Sequence, residues 1–279
     1  MQGMWRHVDR LSTAQRLDVL NLLNRVEVEL SREALDEGRR RVVVHGWPGQ
    51  HWLCYDLGNL VSYALAAGSS PCVVEQAGGG FDSELLEQLF VTADVIEWWL
   101  RDMELTNIPA DVVRTLKLFE IALPVPVVPI SRDVTMRAFE PGKDNEAWIQ
   151  QNNLAFADHP EQGTWNASDL EMRIAEPWFD PSGFLLFEDA GEIVASCWTK
   201  VHELHPDRFG EIYVISVHPN AQGRGLGRLA VTQGLNALRR KGVSKAQLFV
   251  DDTNSSALAL YEHIGFRRVR DDHLLRFSH

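Results

Sequence analysis

Residues 210 to 242 read GEIYVISVHPNAQGRGLGRLAVTQGLNALRRKG. The β-branched and aromatic run EIYVISV is too short for a helix and reads as a strand. From residue 226 onward, Leu226, Leu229, Ala230, Leu235 and Leu238 recur at helical spacing. That segment ends in basic residues and stops at Gly242, so it reads as one amphipathic helix. Between the two lies Gln222-Gly223-Arg224-Gly225-Leu226-Gly227. A loop of this kind leaves backbone N–H groups unpaired at the positive end of a helix dipole, where phosphate binds. Arg224 and Arg228 add charge at the same place.

The loop fits poorly with two well-known phosphate cradles. The lysine of GxxxxGK[ST] is absent, and a GxGxxG begun at Gly223 would need its last glycine where Arg228 stands. The rest of the 279 residues gives the loop its setting. Lys and Arg number 27 against 39 Asp and Glu, a net charge of -12. Neither nucleic acid nor an anionic membrane is therefore expected as a partner, and any bound anion needs a dedicated local site. No apolar run approaches the roughly 20 residues of a membrane span, and MQGMWRHVDR does not read as a signal peptide. Cys54, Cys72 and Cys197 show no metal or redox spacing, which predicts reduced thiols in a cytoplasmic protein. A monomer is expected.

The run ALPVPVVPI, 122 to 130, excludes a helix interior and a central strand, so the domain boundary is expected there. Downstream, periodicity predicts a strand TMRAF, a helix DNEAWIQQNNLAFA and a short helix near 167 to 175. GFLLFED and EIVASCWTKVH then form a hairpin about Asp189-Ala190-Gly191. KAQLFVD is a further strand, NSSALALYEHIGF a helix ending at Gly265, and FRRVR with HLLRF a closing hairpin. Upstream, STAQRLDVLNLLNRVEVEL reads as a first helix with Leu17, Leu20 and Leu23 on one side. PCVVEQAGGGFDSELLEQL repeats the order strand, glycine turn, helix. Its glycines lack a neighbouring Arg or Lys and are followed by Asp82 and Glu84, which suit a bare helix start and repel an anion. A duplicated domain with one functional anion site is expected.

The segment quoted first resembles the acetyl-CoA loop of the GNAT N-acetyltransferases, whose pattern Q/R-x-x-G-x-G/A is matched by Gln222, Gly225 and Gly227. Asn254, Tyr261 and the pair Gly265-Phe266 are similar to that family's last helix. NNLAFADHPEQGTW, WTKVH, GEIYVISVHPNAQGRGLG and LFVDDTNSSALALYEHIGF resemble its tandem-domain members that acetylate the cysteine amine of cysteinyl-glucosaminyl-inositol, over roughly residues 132 to 279. The resemblance implies an α/β fold of two tandem GNAT-like domains, each a mixed, mostly antiparallel sheet flanked by helices, the N-terminal one degenerate. The expected limits are 1–123, a Pro-rich linker 124–130, and a catalytic domain 131–279.

The same resemblance implies acetyl-CoA as co-substrate, Glu211 as general base and Tyr261 as the acid that protonates the CoA sulfur. Backbone contacts to the cofactor fall on Ile215, Ser216 and Val217, and further cofactor contacts on Gln222, Gly223, Arg224, Gly225, Leu226, Gly227 and Arg228. The last helix adds Asn254, Ser255, Ser256, Ala257, Leu258 and Ala259. Glu161, Lys200 and Glu211 are implied acceptor contacts, with Glu37 from the N-terminal half. Phe249 stands where the family carries Tyr, so one sugar hydrogen bond is missing or supplied elsewhere. Tyr261 follows Asn254 by seven residues, two helical turns, so both can face one ligand. His202 and His205 lack the spacing of a helical zinc site and read as surface loop histidines, and no metal is expected. Another amine acceptor, such as an aminoglycoside or a protein N-terminus, and a non-catalytic acetyl-CoA sensor remain open on the residues alone.

Overall fold

Strand alternation sets the layers. The computed structural model describes residues 4–30, 32–101, 105, 108–126, 128–130, 133–157, 163–204 and 207–278, apart from the side chains of Leu204 and Asp207. The chain divides into two units, Met1–Lys117 with Leu204–Asp207 and Arg270–His279, and Leu118–Glu203 with Arg208–Val269.

The first unit holds β1 (Met4–Val8), α1 (Thr13–Leu30), α2 (Glu37–His45), β2 (Gln50–Asp56), β3 (Asn59–Ala67), β4 (Cys72–Ala77), α3 (Ser83–Leu89) and β5 (Val95–Arg101). Its strands follow the order β1-β2-β3-β4-β5-β12, where β12 (Arg267–Ser278) is the last strand of the chain. Among the described residues, β4 and β5 pair in parallel and the pairs β1–β2, β2–β3, β3–β4 and β5–β12 are antiparallel. Leu53, Tyr63 and Leu65 pack with α1 on one face, while Trp52, Cys54, Ala64 and Ala66 pack with α3 on the other, the period-2 pattern of a sheet covered twice. Helix α1 opens on a reciprocal cap: the Gln15 N–H donates to Ser12 Oγ at 3.2 Å and the Ser12 N–H to Gln15 Oε1 at 2.9 Å. It buries Val19, Leu22, Leu23 and Val26, whereas Leu17 is exposed. The buried stripe thus follows i, i+3, i+4, i+7 from Val19, not the line through Leu17, Leu20 and Leu23.

The second unit takes in part of β6 (Asp111–Ala122), then β7 (Thr135–Ala138), α4 (Asn145–Ala155), α5 (Ala167–Ile174), β8 (Phe184–Asp189), β9 (Glu192–Leu204), β10 (Asp207–Val217), α6 (Leu226–Arg240), β11 (Lys245–Asp251) and α7 (Ser255–Ile264). The strand order is β6-β11-β10-β9-β8-β7. Leu229, Ala230, Leu235 and Leu238 of α6 cover one face, and an aromatic cluster of Trp148, Trp165, Phe184 and Trp198 fills the other beneath α4 and α5. Ala195 and Cys197 face the first layer, and Trp198 the second. The Pro-rich segment packs on α6, where Val128 N–H donates to Thr232 Oγ1 at 3.3 Å and Gln233 Nε2 donates to Val128 O at 3.1 Å.

One element departs from the sequence reading. FRRVR and HLLRF are one continuous strand, β12, because the intervening Asp271 and Asp272 carry no turn geometry; Asp272 is buried and accepts from Arg270 Nε at 3.0 Å. Residues 270–279 consequently group with the first unit, through antiparallel pairing of β12 with β5. The three cysteines are free and buried.

Candidate active site

Among the described residues, strands β10 and β11 share a parallel register only at Gly210↔Ala246 and Glu211↔Gln247. Beyond that pair, residues 212–217 and 248–251 run on without a shared ladder, and a cavity of about 500 Å³ lies between them. Side-chain packing shows where β10 leaves its regular path. Ile212 and Ile215 pack with the α6 layer, whereas the consecutive Tyr213 and Val214 both pack with the aromatic cluster. The in-out alternation therefore breaks between Tyr213 and Val214, as at a bulge. Ser216 anchors the displaced strand from behind: its hydroxyl lies 2.8 Å from Ser196 Oγ and donates to Gln151 Oε1 at 2.8 Å, and Trp148 Nε1 donates to Ser196 Oγ at 2.9 Å.

One end of the cavity is the start of α6. Its N-cap, Gly225, has φ 80° and no side-chain cap, so the first-turn N–H groups have no partner from a capping side chain. A Cβ added to Gly223 or Gly225 would meet nothing within 4 Å, so the loop is open at both glycines. Gln222, Gly223, Gly225, Leu226, Gly227 and Arg228 line this end, and Ile215, Ser216 and Val217 the strand side. Arg224 is turned away: its guanidinium donates to Asp189 Oδ2 at 2.6 Å in the β8–β9 hairpin.

Helix α7 forms the far wall. Asn254 and Tyr261, two turns apart, both line the cavity, together with Ser256, Ala257 and Leu260; Ser255, Leu258 and Ala259 are not on that wall. Asn254 Oδ1 accepts from the Ala257 N–H at 3.1 Å, so this side chain caps its own helix. Tyr261 is buried against Phe266, and burial pushes its phenol well above the usual range. Phe249 of β11 lines the cavity with its ring partly exposed.

Glu211 ends the paired part of β10, one residue before the first lining residue, Ile212. Its Oε2 lies 2.5 Å from His202 Nε2. Contrary to the sequence reading, His202 is no loop residue. It lies in β9, 5% exposed, stacked on Phe209 at 4.6 Å between centroids. A period-2 signal was present in the sequence, since Trp198, Lys200 and His202 share one face of a strand whose Trp198 is fully buried. Lys200 is buried too, its Nζ 4.8 Å from the Trp178 ring centre and 5.7 Å from that of Tyr213. Glu37 begins α2 in the first unit and pairs with Arg41 at 3.8 Å. Glu161 and His205 lie outside the described residues. Among the described residues no group of three or more His, Cys, Asp or Glu could hold a metal.

In the first unit, the counterpart of α6 is α3. There Asp82 Oδ1 accepts from the N–H groups of Glu84 at 2.9 Å and Leu85 at 3.3 Å, so that helix start is occupied by its own side chain.

Comparison with known proteins agrees with this geometry. Residues 148–266 match the model of the acetyltransferase (GNAT) family. A mycothiol acetyltransferase of Streptomyces griseus subsp. griseus is 37% identical over 292 residues, covering 96% of this chain and 94% of that protein. The chain belongs to the mycothiol acetyltransferase group of the GNAT family. A mycothiol acetyltransferase of Thermomonospora curvata is 51% identical over 149 residues, 53% of this chain and 49% of that protein. In that alignment, as in others of its kind, the chain spans about half the length of the curated relative it matches. Among solved structures, a GCN5-related N-acetyltransferase from Sphaerobacter thermophilus superposes with TM-score 0.69 at 17% identity, covering 98% of this chain and 95% of the other. A tandem GNAT protein from the clavulanic acid biosynthesis pathway superposes with TM-score 0.67 at 12% identity, covering 99% and 98%. These likenesses establish the tandem GNAT fold, a mixed α/β architecture.

Proposed function

We propose that the chain transfers the acetyl group of acetyl-CoA to the cysteine amine of cysteinyl-glucosaminyl-inositol, the last step of mycothiol biosynthesis. The observation that carries this reading is the parting of β10 from β11 immediately after Glu211↔Gln247, with an uncapped helix start at one end of the opening and Tyr261 on its wall. The near full-length similarity to a mycothiol acetyltransferase supports the choice of acceptor.

The residues fit the cofactor. Open space before Gly223 and Gly225, the first-turn N–H groups of α6 and the side chain of Arg228 suit a pyrophosphate, in a chain whose net charge of -12 offers no general attraction to one. When bound, acetyl-CoA supplies a thioester carbonyl and a thiolate leaving group. Glu211 takes a proton from the acceptor ammonium and so frees the nitrogen lone pair for attack. Backbone N–H groups of residues 215–217 donate to the carbonyl oxygen as negative charge develops there. Tyr261, kept protonated by burial, gives its hydroxyl proton to the sulfur as the C–S bond breaks and the C–N bond forms. It regains a proton from solvent, matching the one the nitrogen releases. Lys200, Glu161, Phe249 and Glu37 are assigned to the acceptor on the family resemblance, Phe249 through its ring face alone.

The test is an acceptor panel with purified protein and acetyl-CoA: cysteinyl-glucosaminyl-inositol, glucosaminyl-inositol without the cysteine, an aminoglycoside and a peptide N-terminus. Free CoA is read by chromatography and the site of acetylation by mass spectrometry. Turnover on the first alone, with the acetyl group on nitrogen, supports the reading. Faster turnover on another amine overturns the acceptor, and CoA binding without turnover on any amine overturns the enzyme.

A further inference from the structure

We propose that His202 is the positioning residue of the reaction, fixing the Glu211 carboxylate by one oxygen so that the other faces the acceptor amine. The inference rests on the reading of Glu211 as base. A glutamate has three side-chain torsions to settle, and holding Glu211 where the pairing with β11 stops costs rotamer entropy unless a neighbour fixes it. His202 supplies that constraint from the neighbouring strand. Its Nε2 lies 2.5 Å from Glu211 Oε2, and its ring cannot swing away because it is 5% exposed and stacked at 14° on Phe209, itself 1% exposed. Oε1 of Glu211 makes no hydrogen bond to a described residue. The two carboxylate oxygens are thus inequivalent: Oε2 is committed to the imidazole, and Oε1 is left for the proton that the amine gives up.

The bond also defines the imidazole. A carboxylate accepts only, so Nε2 carries the proton and donates it, which sets the tautomer when the ring is neutral. Lys200 lies on the same strand face two residues away, yet its ammonium rests on the rings of Trp178 and Tyr213. His202 is therefore the residue whose geometry engages Glu211 directly, and its effect on the rate acts through that carboxylate.

The experiment compares wild type, His202→Phe, His202→Gln, Glu211→Gln and the double variant His202→Phe/Glu211→Gln in the full chain. Phe keeps the stack on Phe209 and removes the donor, whereas Gln carries a donor N–H that can reach the carboxylate. His202→Phe should lower kcat by about tenfold or more with KM for acetyl-CoA unchanged, since a hydrogen bond to a charged group is lost. His202→Gln should recover most of that loss. In the Glu211→Gln background His202→Phe should change kcat by less than about twofold, because neighbours acting as one unit are non-additive. A full further loss there, or a His202→Phe enzyme as fast as wild type, overturns the inference. If Glu211→Gln is itself as fast as wild type, the base reading fails instead. Should wild type turn over no amine, or His202→Phe fail to fold, the pairing is read in 15N-histidine spectra: Glu211→Gln must shift the His202 Nε2–H resonance, and an unshifted resonance overturns the proposal.

Discussion

Replacing Gly225 by Ala separates two roles of one residue. Gly225 sits at φ 80° and ψ 5°, a left-handed conformation that costs an L-residue roughly 1–2 kcal/mol. An added Cβ meets nothing within 4 Å, so no packing penalty joins the backbone one. At about 2–4 °C per kcal/mol for a chain of this order of size, Tm should fall by about 2–8 °C. Gly225 also lines the cavity at the uncapped start of α6, where the pyrophosphate is proposed to lie, so the added methyl takes up space there. Losing contacts to a charged group should raise Kd for CoA by about tenfold or more. Gly142 is a matched control: its φ is 82°, its Cβ would also meet nothing within 4 Å, and it does not line the cavity. Gly142→Ala should therefore show a similar fall in Tm with Kd unchanged. Differential scanning calorimetry and isothermal titration decide. Equal CoA affinity in the two variants would refute the cradle, and an unchanged Tm in Gly225→Ala would refute the left-handed backbone.

Tyr261→Phe should leave CoA affinity nearly unchanged and lower kcat about 10²-fold or more, read by stopped-flow with chemistry rate-limiting. Because burial raises this phenol above its ordinary value of about 10, it stays protonated through neutral pH; an alkaline limb in kcat near pH 8 that vanishes in Tyr261→Phe would contradict its environment. Phe249→Tyr restores a hydroxyl on the cavity wall and should lower the KM for the glycosyl-inositol acceptor, not for acetyl-CoA; equal changes in both would count against an acceptor role. Asp82→Ala removes the cap of α3, worth about 1 kcal/mol, and strands the Trp5 indole N–H now 2.9 Å from Asp82 Oδ2, a further 1–3 kcal/mol or so, measurable by urea unfolding. Burial would raise the Asp36 carboxyl, but bonds with Glu75 and Arg39 outweigh it and hold it at about 2. The folded value lies below the unfolded one, so this stabilisation is complete above pH 4 or so and is lost as pH falls toward 2; Asp36→Asn should flatten that part of the acid-unfolding curve.

The second unit was legible in the sequence because its signals are local. The α6 stripe is apolar at helical spacing, the β8–β9 turn contains Ala190-Gly191, and the loop before α6 carries its glycines in order. The first unit hid its central hairpin. Strands β2 and β3 turn at Leu57-Gly58, where Leu57 takes φ 47°, a conformation normally signalled by Asn or Asp. In the site, Tyr261 and Asn254 follow from helix spacing, whereas the His202–Glu211 contact joins residues on neighbouring strands and needs a register that no local pattern supplies. Arg224 was legible as a charge near the loop, yet its choice of Asp189 depends on where the β8–β9 hairpin lies. The merging of FRRVR and HLLRF into β12 was hidden because two polar residues between apolar runs resemble a turn and here bridge one strand.

Hydrogen–deuterium exchange with and without acetyl-CoA tests the central claim, that the opening between β10 and β11 and the bare start of α6 hold the cofactor. Saturating acetyl-CoA should slow exchange of the amides in residues 212–217 and 223–228, and leave residues 78–85, where Asp82 already caps α3, as they were. Unchanged exchange across both 212–217 and 223–228 in a protein shown to bind acetyl-CoA would contradict the account.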